Sequence, residues 1–204
     1  MMYNRNNEGN DIIIAVIVLT IAFTLMINGG LRGVPDIKTL EIEVLIGFSV
    51  TVTAFLMHEM AHREVARRLG AVAFFKLWPV GILLALITSV FGFIFAAPGA
   101  VQFAGLYDRD SEGKIALAGP GTNIIIGVIA FLAVTFSGIT GVASTILIWV
   151  AWLNLWFALF NLIPFPPLDG SKVFYWNSKI FAGVFLLAII LNIVDGFLPA
   201  ILGI

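Results

Sequence analysis

The chain has 204 residues, of which 60% are apolar and 11% charged, and its mean hydropathy is +1.06. Soluble domains carry about 45–50% and 25%, so this composition excludes a water-facing surface and puts most of the chain in a bilayer. A net charge of −1 gives no general attraction for nucleic acid, and the absence of cysteine excludes disulfides and thiolate metal ligands.

Residues 1–10 are polar and read as a frayed tail. Ile12 to Ile27 is an apolar run that, with its flanks, is long enough to span a bilayer core of about 30 Å. A cleaved signal peptide is the rival reading of this run. A short loop with Arg32, Pro35 and Lys38 leads to a second helix, about Glu41 to Leu69. Its far end carries Arg63, Arg67 and Arg68, where cations suit both the helix dipole and the membrane surface. Residues 77–103 are apolar but punctuated by Gly81, Gly92, Pro98 and Gly99. Phe91–Phe95 and Ala100–Phe103 read as two short strands about a turn at Pro98-Gly99.

Leu106 to Lys114 reads as a polar loop, with Asp108, Asp110 and Glu112 solvated. A third helix runs from Ile115 to Phe136, Gly138 to Gly141 makes a turn, and a fourth helix runs from Ala143 to Leu162. That helix stops where Pro164, Pro166 and Pro167 cannot continue it. A polar patch with Lys172 and Lys179 precedes a last helix, Ile180 to about Val194, and a short apolar tail whose crossing is left undecided. The expected fold is an all-α polytopic membrane protein. It has about five transmembrane helices and a re-entrant, partly β segment at about 77–103, in one membrane-embedded domain over 1–204.

The chemistry concentrates in His58-Glu59-Met60-Ala61-His62, which holds both histidines of the chain. On a helix, positions 58 and 62 share a face one turn apart, so two imidazoles can grip one metal ion. Glu59 beside them can take a proton from water at that metal. Catalytic zinc usually has three protein ligands, and without cysteine the third must be a carboxylate. Asp169, between Pro167 and Gly170 on rigid, non-helical backbone, is the best candidate; the alternative is that it opens the next loop or caps a helix. Glu64 points roughly opposite His62 on its own helix, and Asp195 reads as interfacial or paired with an unseen base.

For Asp169 to reach the histidines, residues 80–97 must dip into the membrane and return rather than span it. Basic residues favour the same arrangement. A re-entrant segment puts Arg5, Arg63, Arg67, Arg68, Lys76, Arg109, Lys114, Lys172 and Lys179 on the metal side against Arg32 and Lys38 opposite, nine against two. A spanning segment gives five against six. Positive charge stays cytoplasmic, so the expected site faces the cytoplasm of what is expected to be the cell membrane.

Three motifs in this order resemble the site-2 protease family of intramembrane zinc metalloproteases. They are His58-Glu59-x-x-His62, Ala118-Gly119-Pro120-x-x-Asn123, and Asn161-x-x-Pro164-x-x-Pro167-Leu168-Asp169-Gly170. The likeness covers about residues 45–175, with a catalytic core at about 41–175. It implies one zinc ion held by His58, His62 and Asp169, Glu59 as general base, and Asn161 bonding to substrate. It also implies that Gly119–Asn123 packs close to the metal helix. Where the family has a glycine pair in a membrane-dipping strand, this chain has Ala97-Pro98-Gly99-Ala100, preceded by an extra apolar stretch, Gly81 to Val90.

The expected activity is hydrolysis of a peptide bond in or near the transmembrane helix of a single-span membrane protein, with the lipid bilayer as the other partner and oligomeric state open. Strands around Pro98-Gly99 could present the substrate by edge addition, a role a charge at Phe95 or Val101 would test. The alternative is a zinc-binding membrane protein without peptidase activity. A carrier would need polar residues along a path through the bilayer, and the outer half of this chain has almost none.

Overall fold

The computed structural model describes residues 5–30, 33, 37–94, 98–106 and 108–196. The Arg5 and Arg32 side chains, Pro35, Phe95 and the tail at 197–204 lie outside the described residues. Among the described residues, eight α-helices and two strands follow in the order α1 (Arg5–Ile27), α2 (Ile37–Val50), α3 (Met57–Arg68), β1 (Val72–Leu77), α4 (Pro79–Ser89), β2 (Gly99–Ala104), α5 (Arg109–Phe136), α6 (Val142–Asn161), α7 (Asp169–Trp176) and α8 (Ser178–Gly196). Five helices among them are long and apolar enough to cross a membrane: Asn7–Ile27, Ile37–Arg68, Arg109–Phe136, Val142–Asn161 and Ser178–Gly196. The protein is an integral membrane protein, and apolar side chains such as Ile13, Ile17, Ile125 and Ile129 are exposed where lipid would cover them.

The second span, Ile37–Arg68, is continuous but not uniform. Thr51–Leu56 is π-helical, and Met57 N–H donates to Val52 O, five residues back. Such a bulge leaves a carbonyl outside the regular ladder and commonly marks a functional site. Here its last residue, Leu56, lies two positions before His58, and it was not anticipated from the sequence.

The stretch after the second span does return to its starting point. β1 and β2 are antiparallel, with Leu77 opposite Gly99 and Phe75 opposite Val101. Trp78 N–H donates to Pro98 O, so the excursion closes where it opened. Between these points α4 runs along α1, and its far end meets Gly30: a Cβ there would collide with the Val90 carbonyl. The re-entrant hairpin is therefore deep.

Two expectations about this region need correction. Ala100–Phe103 is a strand, but Phe91–Ile94 is not. Gly92 has φ of +84°, a left-handed turn conformation that interrupts extended backbone, and the turn sits at the tip of the hairpin. The partner of β2 is instead Val72–Leu77, whose alternation buries Ala73 and Phe75 on one face. The polar start is not frayed from Arg5 onward either. Glu8 is 6% exposed, accepts from Phe75 N–H at 2.9 Å and from Arg63 Nη2 at 3.0 Å, and lies 3.7 Å from Arg67 Nη2. Asp11 accepts from Leu77 N–H at 3.1 Å. These carboxylates cover the outer edge of β1, a common way to keep a strand from pairing further.

α5 begins earlier than its apolar run. Asp108 caps it by accepting from Ser111 N–H at 2.8 Å, so much of the expected polar loop is its first turns. That bond holds the Asp108 carboxyl below the usual carboxylate range. Gly138 and Gly141, both at positive φ, make the turn into α6.

Candidate metal centre

His58 and His62 lie one turn apart on α3 and are both buried, their rings 4.6 Å apart edge to face. Their Nε2 atoms approach to 3.0 Å. Asp169 Oδ2 completes a triangle at 3.3 Å from His58 Nε2 and 3.2 Å from His62 Nε2. Among the described residues this is the group of three whose ligand atoms could hold one ion. Glu64 instead points outward and pairs with Arg68 at 2.7 Å.

The other face of each imidazole shows what the triangle needs. His62 Nδ1 lies 2.7 Å from the Ile115 carbonyl, and His58 Nδ1 meets Asn123 Oδ1. The Asn123 amide cannot be reversed cheaply, because its Nδ2 donates to Ala54 O at 3.0 Å and to Asn154 Oδ1 at 2.9 Å. Both Nδ1 atoms therefore face acceptors and carry the proton. Neutral, as metal ligation requires, the two rings aim their Nε2 lone pairs at each other and at a carboxylate. Three electron-rich atoms at this spacing repel unless a cation stands among them. Two imidazole nitrogens and one carboxylate oxygen, with the second nitrogens tied to carbonyl-type acceptors, form a donor set that fits a catalytic zinc.

Gly119 of α5 forms one wall. A Cβ at this position would lie well under 3.0 Å from both Nε2 atoms, so only glycine lets the helix pass this close. The expected close approach of the Gly119–Asn123 stretch is thus present. Asn123 does more than pack, which sequence reading missed. The available signal was a lone asparagine in an apolar spanning helix, a costly residue unless it finds a partner.

Asp169 sits at the start of α7, not on the non-helical backbone expected. Leu168 before it is extended, and the preceding residues 162–168 are irregular. A Cβ on Gly170 would strike the Leu162 carbonyl, so the start of α7 is pressed against the end of α6.

Glu59 faces the same cavity. Its Oε2 accepts from Val101 N–H on β2 at 3.0 Å. In the ladder, Val101 pairs with Phe75, and the amides of such a pair point away from the partner strand. By the same alternation, the Gly99 and Phe103 amides face outward too. The outer edge of β2 therefore borders the cavity of about 260 Å³ that holds His58, Glu59, His62 and Asp169. Asn161 also lines it, and its Nδ2 donates to Phe157 O of its own helix. Asp195, near the end of α8, is buried and does not line this cavity, and among the described residues its Oδ1 has no hydrogen-bond partner.

Comparison with known proteins points to one class. The sequence profile of Peptidase family M50 matches residues 137–185. A Methanocaldococcus jannaschii protein described as a "Putative zinc metalloprotease" is 39% identical across 68% of this chain and 73% of its own length. The "Putative zinc metalloprotease Rip3" of Mycobacterium tuberculosis is 30% identical across 80% of this chain, which spans 38% of that longer protein. The "Putative zinc metalloprotease YwhC" of Bacillus subtilis is 32% identical across 60% of this chain and 64% of its own. No solved structure matches the chain.

Proposed function

Since this chain belongs to peptidase family M50, the site-2 protease family of zinc metallopeptidases, we propose that it cuts a peptide bond in or beside a transmembrane helix of a single-span membrane protein. The observation that carries the reading is the meeting of His58, His62 and Asp169 in one cavity with Glu59 beside them. His58 Nε2, His62 Nε2 and an Asp169 oxygen would hold the zinc. Bound there, zinc supplies a Lewis acid that polarises a carbonyl and makes water acidic near neutral pH.

Glu59 takes the proton from the attacking water and delivers it to the leaving amine. The Asn161 side chain, on the cavity wall, donates to or accepts from the substrate backbone. A helical substrate hides its carbonyls in internal hydrogen bonds and must unwind before attack. The outward amides of β2 offer it a template as it does so. Strand addition at Val101 would take over the N–H that Glu59 now accepts, releasing the carboxylate into the cavity at the moment substrate arrives.

One catalytic domain, with its core at about 41–175, is enough to build this site. The basic residues Arg63, Arg67, Arg68, Lys76, Lys114 and Lys172 belong to the end of the molecule that carries the cavity, which favours a cytoplasmic site in the cell membrane. The test is Glu59→Gln in the purified protein. Zinc should remain and cleavage of a single-span substrate should fall by about 100-fold or more. Retained cleavage would remove Glu59 from the chemistry.

A further inference from the structure

Behind the imidazole of His58 lies a chain of polar groups drawn from four segments, its first two members fully buried. Asn123 of α5 and Asn154 of α6 are both 0% exposed. Asn123 Nδ2 donates to Asn154 Oδ1 at 2.9 Å, and Asn154 Nδ2 donates to Thr53 Oγ1 at 3.0 Å and to Val150 O at 2.9 Å. Thr53, in the π-helical segment, donates onward to Ser49 O at 2.7 Å. Two asparagines in the apolar interior are expensive, and an isolated packing role would be filled better by leucine.

We propose that Asn154 is a positioning residue for the metal centre: it locks the amide of Asn123, and through it selects the imidazole tautomer of His58 that can bind zinc. The inference rests on His58 being a zinc ligand. Both Asn154 Nδ2 hydrogens are committed, one to Val150 O and one to Thr53 Oγ1, so its Oδ1 must be the atom that faces Asn123. Only Asn123 Nδ2 can donate to it, so Asn123 Oδ1 must face His58. His58 Nδ1 must then hold the proton, and Nε2 is left with a lone pair for the metal.

With Asn154 gone, one of the two acceptors that orient Asn123 is lost. A reversed amide would present Nδ2 to His58 Nδ1. That moves the ring proton to Nε2, where it points into the cavity and blocks coordination. The role is separate from that of Asn161, which lies two turns further along α6 and lines the cavity itself.

The experiment uses the full chain in detergent. Zinc affinity is measured by chelator competition for wild type, Asn154→Leu, Asn123→Ala and the double variant. The ring nitrogens of the zinc-free proteins are read by 15N NMR, which is practicable because the chain has two histidines. Asn154→Leu should weaken zinc about 10-fold, the lower end of what loss of a ligand's outer partner does, and should populate the Nε2–H tautomer of His58. In the Asn123→Ala background the same change should weaken zinc by less than twofold. Asn154→Asp, which keeps an oxygen for Asn123, should restore the wild-type tautomer. An unchanged zinc affinity and tautomer in Asn154→Leu, or losses that multiply in the double variant, would overturn the proposal. Zinc retained by His58→Ala would instead overturn the ligand assignment beneath it.

Discussion

Gly119→Ala tests whether α5 forms the wall of the metal centre. The added methyl would sit between the two Nε2 atoms, well under 3.0 Å from each, a separation real side chains do not tolerate. Neither neighbour is a flexible tip. The His58 ring is tied through Nδ1 to Asn123 and the His62 ring to the Ile115 carbonyl. Relief requires turning an imidazole away or shifting α5, and overpacking of this kind costs about 1–3 kcal/mol. In the zinc-free protein this is offset in part, because alanine favours a helix over glycine by about 1 kcal/mol. In the loaded protein both rings must hold the ligating pose, so the strain falls on binding. At about 1.4 kcal/mol per tenfold, zinc should bind roughly 5- to 150-fold more weakly. The assay is chelator competition on purified protein, with thermal unfolding of the zinc-free form as control. Zinc affinity within twofold of wild type, in a protein that unfolds at the usual temperature, would refute the reasoning.

Two further outcomes follow from other parts of the molecule. Glu8→Ala removes the acceptor for Phe75 N–H, takes the carboxylate from Arg63, and leaves Arg67 with the Ala73 carbonyl alone. Because those side chains are 28% and 35% exposed, the loss should be about 2–3 kcal/mol in unfolding, below the 3–5 of a fully buried pair. A change under about 0.5 kcal/mol would show that the α1 clamp does not hold the sheet. A reporter inserted near Asp108 should respond as cytoplasmic, since β2 returns to the end from which β1 departs; an external signal would reverse the proposed orientation.

Much of the site was legible because its chemistry leaves few alternatives. Two histidines in the whole chain, four apart on a helix, and no cysteine confine the metal ligands to one place and demand a carboxylate. The charge balance and the need for Asp169 to reach the histidines together required residues 77–103 to turn back, and the pairing of Leu77 with Gly99 agrees. The strand partner was not legible. Phe91–Phe95 and Val72–Leu77 are both short apolar runs with aromatic residues, and only the left-handed turn at Gly92 separates them.

The roles of Glu8 and Asp11 were hidden for a different reason. Acidic residues before an apolar run look solvated until a strand edge, distant in sequence, is brought against them. Asn154 was equally silent, since its partners Asn123 and Thr53 come from other helices. The π-helical turn at Thr51–Leu56 leaves no mark in hydrophobic pattern, because it shifts the ladder by one residue within a uniformly apolar run.

The proposed site depends on one ion shared by α3 and α7. The decisive measurement is zinc content per chain in the purified protein, with X-ray absorption at the zinc edge to count its nitrogen and oxygen neighbours, for wild type and Asp169→Asn. One zinc per chain with two imidazoles and a carboxylate, weakened or lost in the variant, is the predicted result. Zinc bound unchanged without Asp169, or a protein that takes up none, would contradict it.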